Sequence, residues 1–422
     1  MGNEEMKFHL TKSEKHWILY DVGNSAFVLL ISTIIPIYFN YLAEGGGLSD
    51  TGDLAYWGYA ASAATLAVAL LGPVLGTLAD TKGFKRPIFL FTILVGAIGC
   101  VSLGFARQWL VFLIVFIIAK IGYNGSLIFY DSMLSDITAQ ERMDRVSAHG
   151  YAWGYIGSCI PFVACLALVL GSGVVGLTME TAMAIAFAVI AAWWLLLSLP
   201  LLRGYRQKYY VERRPHAVAE SFRRLGRTFA NVKKEKKIFI FLLAFFFYID
   251  GVYTIIDMAT AYGTALGFAT NGLLLALLLT QVVAFPFAIL FGRLAQQYDT
   301  ARLITVCIAA YFCIAVFAMF LAHQWQFWVL AVLVGMFQGG IQALSRSYFT
   351  KIIPSKQSGE YFGLMDICGK GASFVGTTLV GVVSQATGNI NLGVGAIAVL
   401  FAVGIFFFQL TVRTEGAHTQ EI

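Results

Sequence analysis

The sequence predicts an all-α polytopic membrane protein with twelve transmembrane helices in two pseudo-symmetric six-helix halves. Three observations carry that expectation. Of the 422 residues, 59% are hydrophobic and only 12% charged, too little charge to cover a water-soluble chain of this length. The apolar residues fall into runs long enough to cross a hydrocarbon core, which takes about 20 residues of helix. One segment, Arg203 to Lys237, interrupts the series at its middle with twelve Lys or Arg in 35 residues.

In order, the spans cover residues 17–42, 56–79, 88–106, 109–131, 151–171 and 179–202, then 238–266, 272–294, 302–322, 325–349, 361–384 and 390–412. The organisation is therefore an N-terminal half (1–202), a basic linker (203–237) and a C-terminal half (238–422). Six spans on each side of the linker place both termini on its side of the membrane. Of the 29 Lys and Arg, only Arg107 falls in a gap on the far side, with Lys120 and Lys370 inside spans. The far gaps carry Glu44, Asp50, Asp53 and Glu180 instead. This asymmetry predicts cytoplasmic termini and a cytoplasmic linker. The start, MGNEEMKFHLTKSEKHW, lacks the compact apolar region and cleavage site of a signal peptide, so the first run reads as a retained helix.

Within the linker Val218, Phe222, Leu225, Phe229 and Val232 recur at helical spacing among Arg223, Arg224, Arg227 and Lys233. That pattern predicts a surface helix with its basic face on anionic lipid; a solvated linker is the other reading. The net charge of +6 is confined to a few gaps, which speaks against a nucleic-acid partner. The six Cys lie in apolar runs without metal-ligand or CxxC spacing and read as buried reduced thiols. No spacing suggests a metal or cofactor. The absence of HExxH, Walker A and G-x-S-x-G patterns speaks against an enzyme and against self-contained ATP-driven pumping.

The halves repeat one another. Gly76, Leu78, Ala79 and Arg86 in GTLADTKGFKR recur 216 residues later as Gly292, Leu294, Ala295 and Arg302 in GRLAQQYDTAR. Duplicated halves joined by a long loop are a transporter architecture, with the substrate site between them. The first copy resembles the loop 2–3 signature of the major facilitator superfamily at Gly76, Leu78, Asp80, Gly83, Lys85 and Arg86. That resemblance implies the major facilitator fold and a latch between the halves made by Gly76, Asp80, Gly83 and Arg86. In the second copy Gln296 replaces the Asp and Asp299 the second Gly, which weakens the expectation of a latch there.

A narrower resemblance covers nearly the whole chain. YDVGNSAF (Tyr20 to Phe27), SDITAQERMDRVSAHGYAWGYIGS (Ser135 to Ser158), FFFYIDGVYTII (Phe245 to Ile256) and QGGIQALSRSYFTKIIP (Gln338 to Pro354) are similar to the vacuole-effluxer branch. That branch implies amino-acid export from the yeast vacuole and includes bacterial members. Its usual first motif reads Y-D-W-A-N-S-A, from which Val22 and Gly23 depart. The compact chain and the lack of a glycosylation sequon in an outward gap suggest a bacterial plasma (inner) membrane protein, with a functional monomer as the superfamily default.

An ionisable side chain near the centre of a span costs at least ~2.5–3.5 kcal/mol, so each needs a reason. They are Asp21, Lys120, Asp131, Asp250, Asp257, Arg346, Asp366 and Lys370. In the superfamily spans 1, 4, 7 and 10 line the central cavity, and these four hold all but the last two. Asn24, Lys120, Asn124, Asp250, Thr254, Gln338 and Gln342 are the expected substrate ligands. Lys120 suits a carboxylate, and Asp250 an ammonium group or a proton. Asp21, Asp250 and Asp257 are the expected proton-coupling acids, and Asp131 and Arg346 the expected gate pair. Lys120 and Asp250 also read as a structural salt bridge between the halves, and Asp366 and Lys370 as a self-satisfied pair.

The functional expectation is a secondary active transporter moving a small solute, an amino acid or short peptide, by alternating access, with protons as the candidate coupling ion. A multidrug or lipid exporter of the same fold is the alternative, and a non-transporting membrane sensor or scaffold the alternative of another class.

Overall fold

A computed structural model describes residues 8–47, 50–212, 223 and 235–419, the side chains of 50–55, 270–271, 370–374 and 415–419 excepted. Span 1 is two helices, Lys12–Ser32 and Ile34–Gly45. Thr11 and Glu14 start it with a capping box: the Thr11 N–H donates to Glu14 Oε2 at 2.7 Å and the Glu14 N–H to Thr11 Oγ1 at 3.3 Å. The break at Thr33 follows from Pro36, which has no N–H to return to the Ser32 carbonyl. Spans 2 to 6 are Asp50–Ala79, Lys85–Leu103, Trp109–Ser132, Met143–Leu170 and Met179–Gly204. Spans 7 to 11 are Lys236–Ala265, Thr270–Leu294, Thr300–Ala318, Gln324–Ile352 and Ser358–Thr387. Span 12 is again broken, into Ile390–Gly395 and Ile397–Thr419.

Eleven of these spans are long and apolar enough to cross a membrane by length and composition. The twelfth long helix, Ser358–Thr387, is not among them; it carries Glu360, Asp366 and Lys370 along with several Gly, Ser and Thr. Its 30 residues span about 45 Å, ample for a bilayer.

Each half has its own packed centre. In the first, Phe27 lies 5.3 Å from Tyr123 and 5.6 Å from Trp194, ring to ring. In the second, Phe241 lies 5.4 Å from both Tyr348 and Phe349. The buried hydrophobic residues divide accordingly into one cluster from Trp17 to Tyr205 and another from Ile238 to Phe408. Between the halves small residues allow helices to touch, as expected where lipid supplies no hydrophobic drive for association. On spans 2 and 11, Gly76 packs on Gly359 so closely that a Cβ on Gly76 would collide with the Gly359 carbonyl. Spans 5 and 8 meet likewise, with Gly292 against Ala148.

The linker begins differently from the expectation. Span 6 runs on to Gly204, and residues 205–212 form an extended strap over the turn between spans 2 and 3. Val211 bridges Thr81: its N–H donates to the Asp80 carbonyl at 2.8 Å, and its carbonyl accepts from the Lys82 N–H at 3.0 Å. The expected amphipathic helix over Val218 to Val232 lies outside the described residues, apart from Arg223. Of the six cysteines, all free, Cys100, Cys165 and Cys307 are buried as expected; Cys313 is exposed, on the outer face of span 9.

Candidate functional site

The strap and the ends of spans 2, 4, 5, 8, 10 and 11 that meet near it define a linker side, where the halves close on each other. At the centre of that closure stands Arg346, 3% exposed, reaching from span 10 into the N-terminal half. Its Nη1 donates to Asp131 Oδ1 on span 4 at 3.0 Å, its Nε to Ser147 Oγ on span 5 at 2.9 Å, and its Nη2 to the Ser147 carbonyl at 3.0 Å. The guanidinium plane is held between rings, 4.3 Å from Tyr151 and 4.6 Å from Trp17. Asp21 lies beyond the direct hydrogen bonds, 3.8 Å from Nη1, and accepts from Tyr130 Oη at 2.9 Å. Gly150 leaves the room for this meeting, since a Cβ there would sit 3.0 Å from Asp21 Oδ2 and 3.1 Å from Arg346 Nη2.

Two latches flank Arg346. In the first, Asp80 accepts from the N–H groups of Gly359 (2.7 Å) and Glu360 (2.9 Å) at the start of span 11. Burial pushes the Asp80 carboxyl up to about 7, although Lys85 and the two N–H groups pull the other way. Gly83 makes the tight turn with φ +78°. Arg86, expected in the latch, is exposed; its neighbour Lys85 is fully buried and donates to Asp136 Oδ2 at 3.3 Å and to Ser358 Oγ at 3.4 Å. Asp136 also accepts from Tyr205 Oη and from the N–H groups of Lys208 and Tyr209, so it ties the strap to the latch.

The second latch centres on a residue outside the repeated motif. Asp144, at the start of span 5, accepts from Ser347 Oγ (2.6 Å), Thr300 Oγ1 (3.0 Å) and the Lys351 ammonium. Gln296 donates weakly to the Glu141 carbonyl at 3.4 Å, and Asp299 caps its own helix at Ala301. Outside this belt Glu14 accepts from Arg142 Nε and Nη2, both at 2.8 Å, and the Phe8 ring covers Arg145 at 3.9 Å.

Away from the linker side the polar residues are arranged differently. Lys120 is half-buried on span 4, and Asp257 is exposed on span 7. The field of the Lys120 ammonium reaches the Asp257 carboxylate, which joins the two halves electrically. Lys120 is eleven residues from the far end of span 4 and Asp257 eight from the far end of span 7, roughly 17 and 12 Å deep at about 1.5 Å per residue. Asp250, one helical face and two turns deeper, is fully buried. Its Oδ1 accepts from the Gly376 N–H at 3.1 Å and from Thr254 Oγ1 at 3.3 Å, and its Oδ2 has no hydrogen-bond partner among the described residues. The expected Lys120–Asp250 pair does not form: Asp250 turns toward the backbone of span 11, and Lys120 lies over the Phe116 ring at 5.7 Å, its field reaching Asp257.

The remaining expected ligands divide between access and burial. Asn24 is buried and spends its amide on the Tyr20 carbonyl at 3.1 Å. Asn124, Thr254 and Gln338 are buried and Gln342 half-buried. Gln338 Oε1 and Tyr155 Oη find no hydrogen-bond partner among the described residues. Asp366 is half-buried on span 11, and the Lys370 side chain lies outside the described residues. No group of three His, Cys, Asp or Glu among the described residues is placed to hold a metal ion.

Sequence reasoning missed Trp17, Tyr130, Asp136, Asp144, Ser147 and Tyr151 as parts of the closure. Asp136, Asp144, Ser147 and Tyr151 all lie in the Ser135 to Ser158 stretch, which was legible as a motif but not as a gate.

The family described as "Vacuole effluxer Atg22 like" matches residues 11–421. The MFS-type transporter YxiO of Bacillus subtilis is 41% identical over 95% of this chain and 95% of its own length. Autophagy-related protein 22 of Eremothecium gossypii is 23% identical over 89% of this chain and 86% of its own. Among solved structures, the human organic anion transporter MFSD10 superposes with a TM-score of 0.72 at 14% identity, covering 95% of this chain and 100% of that one. The transporter FucP in its outward conformation gives a TM-score of 0.70 at 14% identity, covering 95% and 97%.

Proposed function

The chain belongs to the vacuole effluxer Atg22-like family and is a transporter of the major facilitator type, and from that premise we propose that it carries a small zwitterion, an amino acid or short peptide, across a bacterial inner membrane. The observation that supports the cargo is the placement of a half-buried Lys120 and an exposed Asp257, one from each half, part-way through the membrane and within reach of each other's field. An exposed carboxylate at that depth is too costly against lipid and fits a water-filled cavity. The ammonium suits the carboxylate of an amino acid, and the carboxylate suits its ammonium. Asp250, Gln338 and Tyr155 lie deeper and are offered as hydrogen-bonding groups or a proton site as the cavity contracts, Asp250 Oδ2 being without a hydrogen-bond partner among the described residues.

The Arg346 cluster and the two latches close the linker side while Lys120 and Asp257 serve the opposite one. Alternating access then requires the contacts of Arg346, Asp80 and Asp144 to break together while the halves rock about the site. The bias of basic residues supports a cytoplasmic linker side, so this arrangement faces outward. Export of amino acids, implied by the vacuole-effluxer resemblance, runs the same cycle in reverse; the coupling ion is the proton.

Thermal stabilisation of the purified chain tests this reading. A panel of neutral amino acids, dipeptides, sugars and apolar cations is applied to wild type, Lys120→Ala and Asp257→Asn. A zwitterion at about 100 Kd stabilises wild type by about 2.7 kcal/mol and neither variant by a comparable amount. Stabilisation by apolar cations or lipids that survives both substitutions overturns the zwitterion site and favours a multidrug or lipid exporter.

A further inference from the structure

The closed gate sets two carboxylates, one buried and one half-buried, against one guanidinium. Asp131 takes the direct hydrogen bond from Arg346 at 3.0 Å, whereas Asp21 lies 3.8 Å away with its side chain 8% exposed. The Asp131 side chain is 27% exposed, which gives it a route to water that Asp21 lacks. One cation neutralises one of the two acids and leaves a buried charge without compensation, an arrangement a protein interior avoids by binding a proton. The other groups that face Asp21 supply no second cation. From span 4 come Tyr123, Tyr130 and Asp131, from span 5 Tyr151 and Tyr155, and from its own helix Tyr20. Asp366 of span 11 adds a further negative field on Asp131.

We propose that Asp21 is a proton-binding site coupled to the gate: closure of the linker side takes up one proton on Asp21, and opening releases it there. A proton from water forms the O–H bond on Asp21 Oδ1, while Oδ2 continues to accept from Tyr130. With Asp21 neutral, the Arg346–Asp131 pair is balanced and the gate stays shut. When the halves part on the linker side, Asp21 and Asp131 meet water, both ionise, and the proton leaves to that compartment. Asp21 takes the proton from linker-side water as the halves come together and returns it there when they part, so each closure binds one proton and the gate equilibrium is linked to pH. The proposal rests on the alternating-access reading above but not on the identity of the cargo.

The sign follows from linkage. The closed gate binds the extra proton, so acid favours closure, and the open-to-closed ratio rises with pH by up to about tenfold per pH unit for one proton. Two nitroxide labels read that ratio without substrate. They are placed by Lys82→Cys and Gln297→Cys, on exposed loops of opposite halves, in an otherwise cysteine-free full-length chain in liposomes between pH 5 and 9. Asp80, whose carboxyl also sits at about 7 in the closed latch, contributes to the slope in every chain, so the site is read as a difference. Asp21→Asn lowers the slope by close to one decade per pH unit, and Asp21→Glu restores it. Asp131→Asn removes the same excess charge through a different residue and lowers the slope equally, which keeps the test decisive if one variant fails to fold. A wild-type slope in either Asn variant overturns the proposal. Loss of the slope difference with zwitterion stabilisation intact fails this site alone; the reverse result fails only the choice of cargo.

Discussion

Arg346 concentrates more of the gate than any other side chain named here. Its fork fixes Asp131 and both the hydroxyl and carbonyl of Ser147, and its face stacks between Trp17 and Tyr151. A lysine keeps the charge but cannot reproduce three directed bonds and a planar stack. Arg346→Ala leaves the Asp131 carboxylate without its cation and removes the bonds to Ser147, destabilising the closed gate by on the order of 3 kcal/mol, while Arg346→Lys loses roughly half as much. The open-to-closed ratio of the nitroxide pair measures both, and a closed gate in Arg346→Ala at neutral pH contradicts the role. That Arg346 takes a carboxylate partner was legible in the sequence, because an arginine inside a span demands one. Which acids answer it was not legible: Asp21 and Asp131 are 110 residues apart, and no local pattern assigns either one to Arg346.

Spans 2 and 11, and spans 5 and 8, cross at contacts that only small residues permit. The Gly76–Gly359 crossing brings backbones together and aims the span 11 N-terminus at Asp80. Gly76→Val pushes the helices apart, breaks both Asp80 hydrogen bonds and opens the linker side, read as a longer Lys82→Cys to Gln297→Cys distance with an unchanged far-ultraviolet helix signal. An unaltered distance rules out the latch. The resemblance of GTLADTKGFKR to the superfamily signature implied a contact between the halves here, and Asp80 makes one with the start of span 11. The repeat underestimated the second latch, since Asp144 occupies the place that corresponds to Glu360 in the 216-residue repeat rather than to Asp80. The repeat thus preserves the helix crossing while moving the carboxylate to the other partner. The strap was missed for a related reason. Tyr205 and Val211 look like linker residues until Asp136 and Thr81 supply their partners.

For the molecule as a whole, a shut linker side and a charged pair nearer the other side imply that water reaches Asp257 but not Asp250. An impermeant thiol reagent added outside cells modifies Asp257→Cys and spares Asp250→Cys at least tenfold. Locking the gate open by Gly76→Val protects Asp257→Cys in turn. Equal labelling of the two positions in wild-type background contradicts the outward arrangement.

The sequence by itself determined the number of spans, the repeat and the presence of costly charges on spans 1, 4, 7 and 10. These follow from local properties: apolar run length, charge density and residue type. Only the tertiary structure decided how the charges are shared. Asp250 turned from Lys120 to a backbone N–H on span 11, Lys85 rather than Arg86 went into the latch, and Arg346 gathered both Asp21 and Asp131. Partner choice depends on which faces two separately packed halves present to one another, and nothing within a single span encodes that geometry.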